Sequence, residues 1–136
     1  MEEVELRFPA NLKYLRLATS LCRELCDREH YVDGIADWIE DIELCISEAC
    51  TNAIKHGSRG DIKAMISIQF HMFPDKVVIR IADQGRGFDL DSIPEPDLAA
   101  HPERGYGLYI IRSKMDEVRY FRNDMENYLE MTKYFK

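Results

Sequence analysis

Residues 4–8, Val-Glu-Leu-Arg-Phe, alternate apolar and charged side chains, the period-2 pattern of a strand with one buried face, and Pro9, which lacks an N–H for the ladder, ends it. Asn11 has a side-chain oxygen suited to capping, and after it Leu12, Leu15, Ala18, Cys22 and Leu25 recur at helical spacing, which predicts an amphipathic helix. A second helical period covers residues 35–56, with Ile39, Ile42, Ile46, Ala49 and Ala53 on one face and Gly57 placed to end it. Alternation returns over residues 64–70, and β-branched residues dominate 76–82. Phe73-Pro74-Asp75 between them reads as the turn of a hairpin. Residues 84–104 contain Gly85, Gly87, Pro94, Pro96 and Pro102, which oppose regular structure and predict a long loop. Residues 107–115 predict a third helix, and 118–122 and 128–135 two closing strands.

A chain of 136 residues with 46% apolar and 32% charged side chains predicts a single folded domain over residues 1–136. Its apolar runs are only a few residues long, against the ~20 needed to cross a bilayer, so a soluble protein with no membrane partner is expected. Met1-Glu2-Glu3-Val4-Glu5 is acidic, unlike the basic start of a secretory signal, and predicts a cytoplasmic location. The cysteines at 22, 26, 45 and 50 form no Cys-x-x-Cys pair and read as reduced, packed thiols. The alternative for Cys22 and Cys26 is a zinc site completed by a histidine. A formal net charge of -7 argues against a protein that works by holding nucleic acid phosphates.

Three short motifs carry candidate chemistry. In Glu48-Ala49-Cys50-Thr51-Asn52 a carboxylate and a carboxamide lie four residues apart, one turn from each other on the same helix face. The amide oxygen suits Mg²⁺ and the carboxylate can take a proton from a hydroxyl; an exposed polar stripe would show the same letters. Asp83-Gln84-Gly85-Arg86-Gly87-Phe88 directly follows a strand, where an Asp can accept from an exocyclic amine and glycines let the backbone approach a ring, although ordinary turn chemistry also uses this pattern. A dinucleotide fingerprint is excluded here, because Leu90 stands where a third Gly or Ala is needed and Pro94 and Pro96 oppose the helix that must follow. Arg104-Gly105-Tyr106-Gly107-Leu108 opens a helix, so that free N–H groups can meet phosphate oxygens with Arg104 adding charge, or it forms a hinge at a helix start.

The three motifs in this order make the chain resemble the GHKL ATPase superfamily, and within it the small anti-sigma-factor serine/threonine kinases, over nearly the whole length. Ile111-Arg112-Ser113-Lys114-Met115-Asp116-Glu117-Val118 is similar to that family's segment after the last glycine motif. The resemblance implies a two-layer α/β (α+β) sandwich of the histidine-kinase-like type, with a mixed, mainly antiparallel sheet and helices on one face. It implies ATP and Mg²⁺ as cofactors, with Asn52 on the metal, Asp83 on the adenine amine, Gly85, Gly87 and Phe88 around the adenine, Arg104, Gly105, Tyr106, Gly107 and Leu108 at the phosphates, and Glu48 as catalytic base. Lys55, one turn beyond Asn52, is a further phosphate candidate or a solvated surface lysine. The implied activity is phosphorylation of an anti-anti-sigma-type antagonist in a partner-switching circuit with a sigma factor, by a chain of a kind that often forms homodimers. The alternative is an ATP-dependent module that sequesters a partner without phosphoryl transfer. The family's glycines and threonine near the last hairpin are replaced here by Asp124-Met125-Glu126-Asn127.

Overall fold

Why the strands share one buried face is visible in their register. Leu6 pairs with Ile68, Ile68 with Ile81, Ile81 with Leu129 and Leu129 with Tyr120, so one apolar row crosses every strand of the sheet. Side chains two residues along fall on the same face, and Val4, Phe70, Ile79, Met131 and Val118 form a second row. A computed structural model describes residues 1–29, 35–57, 63–83, 106–122 and 126–135. Five strands, β1 (Glu2–Pro9), β2 (Met65–Met72), β3 (Lys76–Asp83), β4 (Glu117–Arg122) and β5 (Asn127–Tyr134), form one sheet in the order β1-β2-β3-β5-β4. All pairings among the described residues are antiparallel.

The apolar rows bury Ile66, Ile68, Phe70, Ile79 and Met131 against three helices, α1 (Leu15–Glu29), α2 (Ile35–Asn52) and α3 (Tyr106–Lys114). Helix α2 is central: Ile39, Ile42, Ile46, Ala49 and Cys50 are buried along its sheet-facing side, and it packs on both α1 and α3. At its N-terminal end Trp38 lies on the Phe135 ring, with centroids 4.7 Å apart. The four cysteines are buried free thiols within the helices, so Cys22 and Cys26 pack the core rather than face a metal. The Cys22 thiol is pushed well above its ordinary pKa by its hydrogen bond with Cys26 and by burial, and burial pushes Cys50 up to about 12.

Two boundaries differ from the sequence reading. The helix expected from Leu12 begins instead with a 3₁₀ turn over Leu12–Tyr14, because the Asn11 side chain accepts from the Lys13 N–H at 3.0 Å and tightens the entry, which leaves Leu12 47% exposed. The second helix does not stay α-helical to residue 56; after Asn52 it widens into a π turn over Ala53–Gly57. There the consecutive Ala53 and Ile54 are both buried while Lys55 is exposed.

The opposite face of the sheet is polar. Glu130 on β5 accepts from Arg80 on β3 at 2.7 Å and lies 3.6 Å from Arg119 on β4. The Arg80 guanidinium sits 5.0 Å from the Phe121 ring centre, and Phe121 stacks on Tyr128 at 5.2 Å. Nearer β1, Ser67 donates to Glu5 at 3.0 Å.

Candidate functional site

Two contacts fix how α3 lies on α2. Gly107, in the first turn of α3, faces Glu48 and Asn52 near the end of α2, whereas Lys114 at the other end of α3 reaches Asp41 at 3.5 Å. The helices therefore run antiparallel, and the N-terminus of α3 is delivered to the Glu48–Asn52 face. Lys133 holds the opposite end by donating to the Lys114 carbonyl at 2.8 Å.

The approach at Gly107 is close enough to exclude a side chain. A Cβ there would stand 2.9 Å from Glu48 Oε2 and 3.1 Å from Asn52 Nδ2. Glu48 and Asn52 are half-buried beneath the start of α3, so they are not an exposed stripe. Free N–H groups and the positive end of the helix dipole thus sit beside a carboxylate and a carboxamide. This arrangement suits a polyanion with a hard cation: the dipole and N–H groups meet phosphate oxygens, and an amide oxygen is a hard neutral ligand.

Asp83 is the last residue of β3 and has the parity of Ile79 and Ile81, so it belongs to the helix-facing side of the sheet. Strand β3 also contacts the π turn that follows Asn52, which brings the Asp83 strand end toward the same end of α2. Opposite Asp83 in the ladder is Asn127, 2% exposed, whose Nδ2 donates to Asp83 Oδ1 at 3.1 Å. Asn127 was not among the sequence candidates. The available signal was its place at the head of β5, in phase with Leu129 and Met131, where an inward polar residue needs a partner.

The fold thus draws together Glu48, Asn52, Gly107 and the end of the strand that carries Asp83. Leu108 is buried in the apolar core, leaving only its backbone for a ligand, and Lys55 stands exposed on the π turn. Tyr106 is the first residue of α3. The candidates Gly85, Gly87, Phe88, Arg104 and Gly105 lie outside the described residues, as does most of the loop expected over residues 84–104.

Comparison with known proteins gives a family for this arrangement. The profile of the histidine kinase-like ATPase domain matches residues 8–133. Serine-protein kinase RsbW of Bacillus subtilis (strain 168) is 34% identical over 139 residues, covering 96% of this chain and 84% of the relative. The protein of the same name from Bacillus velezensis is 32% identical over 142 residues, covering 98% and 86%. Among solved structures, the RsbU and RsbW domains of Rv1364c from Mycobacterium tuberculosis superpose with a TM-score of 0.69 at 18% identity, covering 98% of this chain and 32% of that one. The SiaB-SiaC complex from Pseudomonas aeruginosa gives 0.66 at 15% identity, covering 97% and 88%. At those identities the two structures speak for the fold alone. The extent of the profile match and the identity to the Bacillus kinases show that the chain belongs to the histidine kinase-like ATPase domain family and, within it, to the anti-sigma-factor kinases.

Proposed function

We infer that the chain binds ATP with Mg²⁺ and transfers the γ-phosphoryl group to a serine or threonine of a small antagonist protein, and that it holds a sigma factor when the antagonist is phosphorylated. The observation that carries this reading is the contact of Gly107 with Glu48 and Asn52, which sets an anion-binding helix start against a carboxylate able to accept a proton. The name serine-protein kinase, borne by relatives that match almost the whole chain, supports it.

Each residue has a task in this reading. Asp83 accepts a hydrogen bond from the adenine amine, and the first turn of α3, free of a side chain at Gly107, lets backbone N–H groups approach the phosphates. Asn52 would hold Mg²⁺ through its amide oxygen; the cation, when bound, neutralises charge on the phosphate oxygens. Glu48 takes the proton of the acceptor hydroxyl as its oxygen bonds to the γ-phosphorus and the bond to the bridging oxygen of ADP breaks. The added phosphate, carrying ≈ −1.5 to −2 charge, then opposes an acidic binding partner of net charge -7, which favours release of the antagonist.

Incubation with γ-labelled ATP, Mg²⁺ and anti-anti-sigma-type proteins from the same cell tests the reading. Labelled phosphoserine or phosphothreonine is expected. Glu48→Gln should bind ATP normally and lose transfer by about 10²–10⁴-fold, the usual weight of a general base. ATP binding and partner capture without label from the unaltered chain would leave a sequestering module in place of a kinase.

A further inference from the structure

We propose that Asn127 is a positioning residue for nucleotide selectivity: from the neighbouring strand it holds the Asp83 carboxylate as an acceptor, so that the site favours a purine bearing an exocyclic amine. The proposal rests on the reading of Asp83 as the group that meets the base.

The geometry gives the direction of the hydrogen bond without ambiguity. An ionised carboxylate can only accept, so the Asn127 amide must turn its NH₂ toward Asp83, as Nδ2 does at 3.1 Å from Oδ1. A carboxylate has about four lone-pair positions on two oxygens, and can take this amide and a ligand amine together. Asn127 is 2% exposed, so the bond is shielded from water, and the β3–β5 register places the two residues directly opposite each other. Both residues belong to the inward face of the sheet, in phase with Ile81 and Leu129.

Two chemical consequences follow. The amide stabilises the charged, accepting form of Asp83, and it limits rotation of the carboxylate about its last torsion, which is otherwise broad. A ligand that offers a donor finds an acceptor already aimed. One that offers nothing, or a second acceptor, leaves a shielded carboxylate oxygen unpaired or repelled, which is the kind of mismatch that discriminates well between substrates. A side chain with no donor at position 127 would pack as well beside Leu129 but would leave the carboxylate to reorient.

The test is titration calorimetry of the unaltered chain, Asn127→Leu and Asn127→Asp with Mg²⁺-ATP and with Mg²⁺-purine riboside triphosphate, which lacks the 6-amino group. Asn127→Leu removes the donor at similar volume; Asn127→Asp keeps the shape and replaces the donor with an acceptor. The unaltered chain should prefer ATP by about tenfold or more, the scale of a hydrogen bond to a charged group. Both variants should lose most of that preference through weaker ATP binding, while their affinity for the analogue stays within about twofold, because the analogue makes no use of the aimed oxygen. Unchanged preference in the variants, or equal weakening of both nucleotides, overturns the positioning role and leaves the kinase reading standing. Loss of the folded circular dichroism signal in both variants also overturns it, since it makes Asn127 a folding residue. Failure of the unaltered chain to bind ATP removes the kinase reading and this proposal together.

Discussion

Replacing Gly107 with alanine adds one methyl group at the point where α3 meets α2. The backbone there is helical, so the conformation tolerates a side chain, and alanine is favoured over glycine by about 1 kcal/mol in a helix interior. Against this, the new Cβ would lie 2.9 Å from Glu48 Oε2 and 3.1 Å from Asn52 Nδ2. Both atoms are the tips of flexible side chains. They can retreat by roughly half an ångström, at about 0.5–1.5 kcal/mol for each side chain forced off its rotamer. Propensity and strain nearly cancel, so the melting temperature should move by no more than roughly 8 °C, the shift expected for about 1 kcal/mol. The chemistry should not be so tolerant. A misplacement of ~1 Å can cost ~10²-fold in rate, so half that distance at the base and the metal ligand predicts a loss of about 10- to 100-fold in phosphoryl transfer. Initial rates with labelled ATP, read beside thermal unfolding, provide the check. Transfer within twofold of the unaltered chain would refute the placement of Glu48 and Asn52 at the reacting groups. A collapse of stability with proportionate loss of activity would show that the contact serves packing alone.

Ile79→Ala, at a fully buried position in the middle of β3, should cost about 2–5 kcal/mol in urea unfolding; a cost below ~1 kcal/mol would contradict the described core. The Cys50 pKa, raised by burial from 9.0 to about 12, fixes the sign of an alkaline effect. The unfolded chain releases this proton first, so the stability contributed by the buried thiol is complete below pH 9 and is lost as pH rises toward 12. The urea midpoint should therefore fall above pH 9, and Cys50→Ala should lessen the part of that fall due to this residue; an identical slope in the variant would refute the assignment. In the native state below pH 9, iodoacetamide should leave Cys50 unmodified until urea unfolds the chain, and rapid native labelling would show that α2 exposes it.

The strands and helices were legible because their buried faces keep strict periods: Ile66, Ile68 and Phe70 alternate, and Ile39, Ile42, Ile46 and Ala49 repeat at three and four. Misreadings fell where local hydrogen bonding outweighs periodicity. Leu12 has the right spacing for the first helix, but the Asn11 cap closes a tighter turn around it. The widening after Asn52 leaves no mark in the pattern of apolar residues, since Ala53 and Ile54 suit an α-helix as well as a π turn. At the site, the pairing of Glu48 with Asn52 was readable because both lie on one helix. The contact with Gly107 was not: it depends on how α3 crosses α2, which sequence spacing does not encode. Asn127 was hidden for a related reason, because strand order β3-β5-β4 makes it the neighbour of a residue 44 positions earlier.

The polar side of the sheet has a bearing on that pair. A slip of β5 by one residue would move it about 3.3 Å along β3, turn Glu130 into the helix layer and expel Met131 into water. The Arg80–Glu130 bond, flanked by Arg119 and the Phe121–Tyr128 stack, opposes such a slip from the solvent side as the apolar rows do from within. The same alignment sets Asp83 opposite Asn127. Charge removed from the outer surface at Glu130 is thus transmitted through the thickness of a single β-layer, and its symptom is a change in which base is preferred rather than a weaker hold on the phosphates.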